Sequence, residues 1–244
     1  MEMVCVEGGS FLMGSESGDL DEQPLHGEFL ENFEIGKYQV TQSQWLKLFK
    51  SLPHMIYNRG ADLPITEVSW YEAINFCIAL SVSEGLELYY SINKFNVNCN
   101  EGSKGYRLPS EAEWEFAARG GLESKGYLYS GSNRLDDVAW YVSNSGQQLH
   151  SVGQKEPNEL GLFDMSGNVY EYCWDEYGPY GRDRQRKTVI DSDVQAKSHK
   201  LPPRVMRGGN CYGLPYRQRN TSRYKYRYVG FRHDFIGFRV ARSL

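Results

Sequence analysis

Only three stretches of this 244-residue chain carry a helical period, and all three open in the same way. In Thr41-Gln-Ser-Gln44, Ser69-Trp-Tyr-Glu72 and Ser110-Glu-Ala-Glu113 a hydroxyl can accept a backbone N–H of the first turn, while the Gln or Glu three positions on reaches back to the hydroxyl residue's own N–H. Apolar residues at helical spacing follow each: Trp45, Leu48 and Phe49; Ala73, Phe76, Cys77 and Leu80; Ala112, Trp114, Phe116 and Ala117. The spacing predicts helices over 41–50, 69–83 and 110–118. Elsewhere the chain is rich in Gly, Asn, Ser and aromatics, which predicts short strands and long loops pinned by side chains, not a layered sheet alternating with helices. Gly237-Phe-Arg-Val-Ala-Arg242 reads as a strand, and the polar stretch 181–203 as an exposed loop. With no linker tract and no internal repeat, a single domain over 1–244 is expected.

A content of 40% hydrophobic and 24% charged residues suits a soluble globular chain, and no run approaches the roughly 18 apolar residues of a spanning helix. The opening Met1-Glu-Met-Val4 has neither the basic nor the apolar region of a secretory leader. Charge is unevenly placed. Residues 204–244 hold ten Lys/Arg and one acid, Asp234, for +9, which leaves −13 for the rest of a chain of net charge −4. The two parts are expected to attract each other or to sort partners by sign. Cys5, Cys77, Cys99, Cys173 and Cys211 include no C-x-x-C, so neither a zinc knuckle nor a disulfide framework is indicated; a single disulfide stays open in an oxidising compartment. His26, His54, His150, His199 and His233 are scattered, and no nucleophile elbow or phosphate loop is present.

Seven blocks occur in a fixed order: Gly8-Gly-Ser-Phe-Leu-Met-Gly-Ser15, Val40-Thr-Gln-Ser-Gln-Trp45, Pro64-Ile-Thr-Glu-Val-Ser-Trp70, Tyr106-Arg-Leu-Pro-Ser-Glu-Ala-Glu-Trp-Glu-Phe-Ala-Ala-Arg119, Asn158-Glu-Leu-Gly-Leu-Phe-Asp-Met-Ser-Gly-Asn-Val-Tyr-Glu171, Arg207-Gly-Gly209 and Gly237-Phe-Arg239. Together they resemble the formylglycine-generating-enzyme (sulfatase-modifying factor) family over nearly the whole chain. The resemblance implies an α+β, C-type lectin-like fold with much irregular structure. The residues fit parts of it on their own account: Pro109 keeps Leu108 extended before the capped turn at Ser110, and Gly8-Gly9 and Gly208-Gly209 read as close approaches or special backbone.

The enzymes of that family bind copper through two cysteines five residues apart, a soft site suited to Cu(I). Laid on the pattern, those positions are Gly213 and Gln218, which offer no thiolate; Cys211 stands nearby alone, an inert thiol or a nucleophile. No enzyme is therefore expected and no cofactor is required. A structural calcium is a separate implication of the resemblance, through the Asp164 side chain, the Gly167 and Val169 carbonyls and the Glu171 side chain, oxygens that suit a hard cation. The alternative at this block is a turn tied by Asn168 and Glu171 hydrogen bonds.

Between the last two blocks rings and guanidinium groups crowd together. Arg223, Lys225 and Arg227 alternate with Tyr224, Tyr226 and Tyr228, which fits a strand with one basic and one aromatic face. Two readings are open: an aromatic core face, or a binding surface in which Tyr supplies contact area and Arg planar hydrogen bonding. The frame from Arg-Gly-Gly to Ile236-Gly-Phe-Arg239 is similar to the variable proteins of diversity-generating retroelements, where substitutions at Asn-type codons yield residues such as Tyr, Cys, Gly, Leu, Arg, His, Asp and Phe. That resemblance implies a variable region within 207–239 and nominates Cys211, Tyr212, Gly213, Leu214, Tyr216, Arg217, Tyr224, Tyr226, Tyr228, Phe231, His233, Asp234 and Phe235 as ligand-binding. Arg219, Arg223 and Arg232 fall at fixed scaffold positions, while Gln218 and Lys225 lie outside the codon scheme.

The expected function is a non-enzymatic display of a variable patch to a protein or glycan partner, at the cell surface or outside the cytoplasm by resemblance. A catalytic relative that modifies a protein cysteine is the alternative. A nucleic-acid grip is a third reading of the rings and arginines, disfavoured by the −13 elsewhere.

Overall fold

The computed structural model describes residues 1–53, 56, 58–94, 96–180, 202–226, 228 and 230–244; His54, His199, Arg227 and almost all of the 181–203 stretch lie outside the described residues. The strands are short: β1 Met3–Val6, β2 Gly9–Met13, β3 His26–Leu30, β4 Phe33–Gly36, β5 Tyr90–Asn93, β6 Asn96–Cys99, β7 Tyr170–Glu176, β8 Arg204–Arg207, β9 Tyr224–Lys225, β10 Ile236–Gly237 and β11 Ala241–Ser243. The helices are α1 Gln42–Leu48, α2 Trp70–Ser83, α3 Glu111–Ala118 and the single turn α4 Leu135–Val138.

All three capping boxes close. Thr41, Ser69 and Ser110 each accept the N–H three residues on, and Gln44, Glu72 and Glu113 return the bond to the cap residue's N–H at 2.9, 2.7 and 2.7 Å. The helices therefore start where the sequence places them. α2 buries Trp70, Ala73, Ile74, Phe76, Cys77 and Leu80 in the larger core, which also holds Tyr170, Tyr172, Met206 and Phe238. α3 lies in a second core with Leu30, Phe33, Ile35, Met165 and Val205.

Beside the two-stranded pairs β2–β3 and β5–β6, two larger sheets organise the rest. In one, β4 lies between antiparallel β1 and β11; in the other the order is β10-β7-β8-β9, with β10 parallel to β7 and the other pairs antiparallel. The strand expected over 237–242 is thus divided between two sheets. Phe238 and Val240 lie at the crossing, where their carbonyls accept the N–H groups of Val40 (2.9 Å) and Gly36 (2.8 Å). Of the aromatic strand expected over 223–228, the described residues form β9, whose two residues pair with Val205 and Met206 on β8. One face of it does lie on the core, so the alternation persists only where β8 supplies a partner.

The glycine pairs are structural. A Cβ on Gly8 would sit 2.2 Å from the Leu30 carbonyl oxygen, and Gly208 and Gly209 adopt φ of 93° and 74°. Side chains are disfavoured in that left-handed region.

Candidate functional site

The segment from β8 to β10 mixes arginines with rings, and the two kinds of side chain part company in space. Arg207 and Arg223 are fully enclosed, and each meets a glutamate of α3. Arg207 pairs with Glu115 and donates to the Thr221 and Ser222 carbonyls, both at 2.7 Å. Arg223 grips Glu111 bidentately at 2.5 and 2.9 Å and donates to the Asp21 and Gly178 carbonyls. Burial works against both cations, but Glu115 and Glu111 outweigh it and hold both pKa values above the ordinary arginine value. Arg219 reaches buried Glu22 (2.6 Å), Arg232 reaches Glu72 (2.8 Å) and Arg239 reaches Glu171 (2.6 and 2.8 Å). Arg242 pairs with Glu34, Arg217 with Asp19 at 3.7 Å, and Arg204 with Glu176 at 3.8 Å. The basic segment and the acidic remainder have attracted each other, and most of the +9 is spent inside the molecule. Among the described residues, eight of the ten cations of 204–244 meet a carboxylate within 3.8 Å.

The rings form a continuous half-exposed cluster. Tyr224 stacks on buried Tyr170 with centroids 4.6 Å apart, and Tyr226 stacks on Phe231 at 3.5 Å and meets Tyr224 edge-on at 6.0 Å. His233 packs on Phe235 at 3.8 Å, and Phe235 meets Tyr212 at 5.8 Å. Tyr228 completes one side against Phe231. Tyr224, Tyr226, Phe231 and Phe235 press on the larger core while staying partly open to solvent, so they are neither wholly core nor wholly exposed. Leu214 and Tyr216 are the most exposed members at 53% and 47%, with Arg217 over the Tyr216 ring at 4.9 Å. Gly213 and Asp234 are partly exposed on the same segment, the Asp234 carboxylate 2.5 Å from His233 Nδ1.

One nominated residue does not belong. Cys211 is wholly buried against Leu149 and Val169, and burial pushes its thiol up to about 12, so it is neither a contact residue nor a nucleophile. Its N–H donates to the Asn168 carbonyl at 2.9 Å, and at the far end of the segment the Phe235 carbonyl accepts the Tyr170 N–H at 2.9 Å. Both ends of the ring-bearing segment are thus tied to the start of β7.

The positions of the missing thiolate pair are neighbours in space. A Cβ on Gly213 would lie 2.5 Å from Nε2 of Gln218, whose buried carboxamide donates to the Asn210 and Leu214 carbonyls. Glycine and a carboxamide fill the place where two sulfurs would bind copper, and the residues do not fit that ion.

The block nominated for calcium also departs from expectation. The Asp164 carboxylate turns away, accepts the Gly153 N–H at 2.7 Å and is pushed by burial up to about 6; its carbonyl faces the Gly167 and Val169 carbonyls instead. The point on which these oxygens and Glu171 Oε1 converge holds Nε2 of Gln39, at 3.1, 3.4, 3.2 and 3.0 Å. Glu171 is already neutralised by Arg239 and takes a further bond from the Trp114 indole at 2.7 Å. As arranged, the cage fits an amide and not a cation. Gln39, Glu111 and Glu115 were invisible to sequence reasoning, although the opposed +9 and −13 hinted that buried carboxylates must await the arginines.

Comparison with known proteins places this geometry. The structure of Treponema denticola variable protein 1 superposes with a TM-score of 0.83 at 29% identity, covering 98% of this chain and 94% of that one. The chaperone protein LppX of Paenibacillus barcinonensis is 41% identical over 206 residues, 71% of each chain. The serine/threonine-protein kinase pkn1 of Chlamydia pneumoniae is 30% identical over 255 residues, all of this chain but 38% of that protein. Proteins named formylglycine-generating enzyme and its inactive counterpart also match, so the relatives' names alone do not decide catalysis. The fold they share is the α+β, C-type lectin-like fold of the formylglycine-generating enzymes. Residues 1–244 match the model of the sulfatase-modifying factor enzyme 1-like domain, and the chain belongs to that family.

Proposed function

We propose that this chain is a non-catalytic display protein whose variable region, within residues 207–239, binds a partner through the half-exposed ring cluster. The observation that carries the proposal is the division of labour inside one segment: arginines lock into buried glutamates, while tyrosines, Phe231, His233 and Phe235 remain open to solvent on one continuous surface. Rings already stacked on one another lose little rotamer freedom on binding, which is how a preorganised surface gains affinity. Likeness to Treponema denticola variable protein 1 and the replacement of both copper-binding positions support the same reading.

The ligand-contacting residues are then Tyr212, Gly213, Leu214, Tyr216, Arg217, Tyr224, Tyr226, Tyr228, Phe231, His233, Asp234 and Phe235, and Cys211 serves the floor beneath them. Tyr with Arg217 beside it suits a protein partner, and a glycan is the alternative outcome. Display at the cell surface or outside the cytoplasm is the setting in which such a patch would meet its partner. No helix among the described residues is long and apolar enough to cross a membrane.

The decisive experiment sequences this gene in sibling isolates. Substitutions confined to the codons of the patch residues, with Arg207, Arg219, Arg223 and Arg239 constant, are expected; changes spread evenly along the gene would refute the reading.

A further inference from the structure

We propose that the Gln39 carboxamide takes the place of a metal ion in this chain, so that the frame beneath the display surface is held without calcium. A chain of hydrogen bonds fixes which end of the amide faces the oxygen cage. The backbone N–H of His150 donates to Asn168 Oδ1 at 3.1 Å, and a backbone N–H can only be a donor. Asn168 Nδ2 must then be its donor end, and it meets the His150 carbonyl and Gln39 Oε1, both at 3.1 Å. Gln39 Oε1 is thereby fixed as the acceptor, which leaves Nε2, with its two hydrogens, pointing at the four oxygens.

Charge agrees with this orientation. A hard cation would need six or more oxygens closing around it. Here the centre of the cage presents N–H dipoles with their positive ends toward the oxygens, and Glu171 already has the Arg239 guanidinium as its counter-ion. For an ion to enter, the Gln39 amide would have to swing out or turn over. Turning it over would set its N–H groups against Asn168 Nδ2 and orphan a bond in a site where Gln39 and Asn168 are wholly buried. The amide joins the segment that leads into α1 to residues 164–171, and in that stretch the Asn168 carbonyl receives the Cys211 N–H at the base of the ring-bearing segment. One uncharged side chain thus ties the approach to α1 to the entry of β7. The proposal is independent of what the surface binds.

Melting the intact protein in calcium and in EDTA, with terbium as a luminescent calcium surrogate excited through Trp114, tests it. The native chain should melt at the same temperature in both media and give no terbium emission that calcium displaces. Gln39→Ala, which opens the cage without removing an oxygen, should melt several degrees lower, recover part of the loss in calcium, and show calcium-displaceable emission. A native chain whose midpoint falls in EDTA, together with displaceable emission at one terbium per chain, overturns the proposal. If Gln39→Ala does not fold, the native measurements decide alone.

Discussion

The arginines and the tyrosines of residues 207–235 alternate along one segment yet meet opposite fates. Arg207 and Arg223 are enclosed with glutamates of α3, whereas Tyr216, Tyr224, Tyr226 and Tyr228 keep part of their surface in water. A buried cation is tolerable only with its partner in place, so the positions of Arg207 and Arg223 admit almost no substitution. A half-exposed ring is held by stacking that other residues can partly replace. One segment therefore carries both the parts that must stay and the parts that can change.

The comparison breaks most visibly at the buried pairs. Glu115→Ala leaves Arg207 enclosed with no carboxylate nearer than Glu111 at 3.8 Å and should cost about 3–5 kcal/mol, seen as a large loss in denaturant midpoint. A loss no greater than that of a ring truncation would erase the distinction. Acid probes the same class more gently. Burial acts to raise the Glu113 pKa, but Arg107 and Ser110 overcome it and hold the group below 4.5 when folded. The unfolded chain then binds more protons in that range, so the pair's contribution is present above about pH 4.5 and is lost as pH falls through the folded value. Glu113→Gln should flatten that part of the stability profile.

Ring truncations sharpen the other side. Tyr226→Ala removes a half-buried ring stacked at 3.5 Å on Phe231, and should cost about 1–2 kcal/mol of stability while weakening partner binding roughly tenfold or more. Equal loss in both readouts would assign this ring to the core alone. Tyr216→Ala, at a residue 47% exposed, should change stability by less than about 0.5 kcal/mol and still lower affinity, measurable by titration calorimetry.

Much of the frame was legible because its signals are local. A capping box spans four residues, and all three close as read. The nominated rings touch one another in a chain from Tyr212 to Tyr228, while Cys211 is buried, because a codon-based nomination carries no information about burial. What escaped depends on distance in the chain. Glu111 and Glu115 look like the solvent side of α3, and their partners Arg223 and Arg207 stand 112 and 92 residues away. The period-two pattern at 223–228 suggested a long strand, but among the described residues β8 pairs with Tyr224 and Lys225 alone. Gln39 carried no signal at all, since its meaning arises from four oxygens more than 120 residues downstream.

The bonds from Cys211 to Asn168 and from Phe235 to Tyr170 make the ring-bearing segment a loop whose two feet stand two residues apart, one on the turn before β7 and one on its first residue. Such a closed unit can be exchanged whole: a cassette of equal length from another member should graft onto these footings and carry its own specificity with it. Insertions or deletions between the feet are another matter, because any change of length must be absorbed before the loop returns to Tyr170.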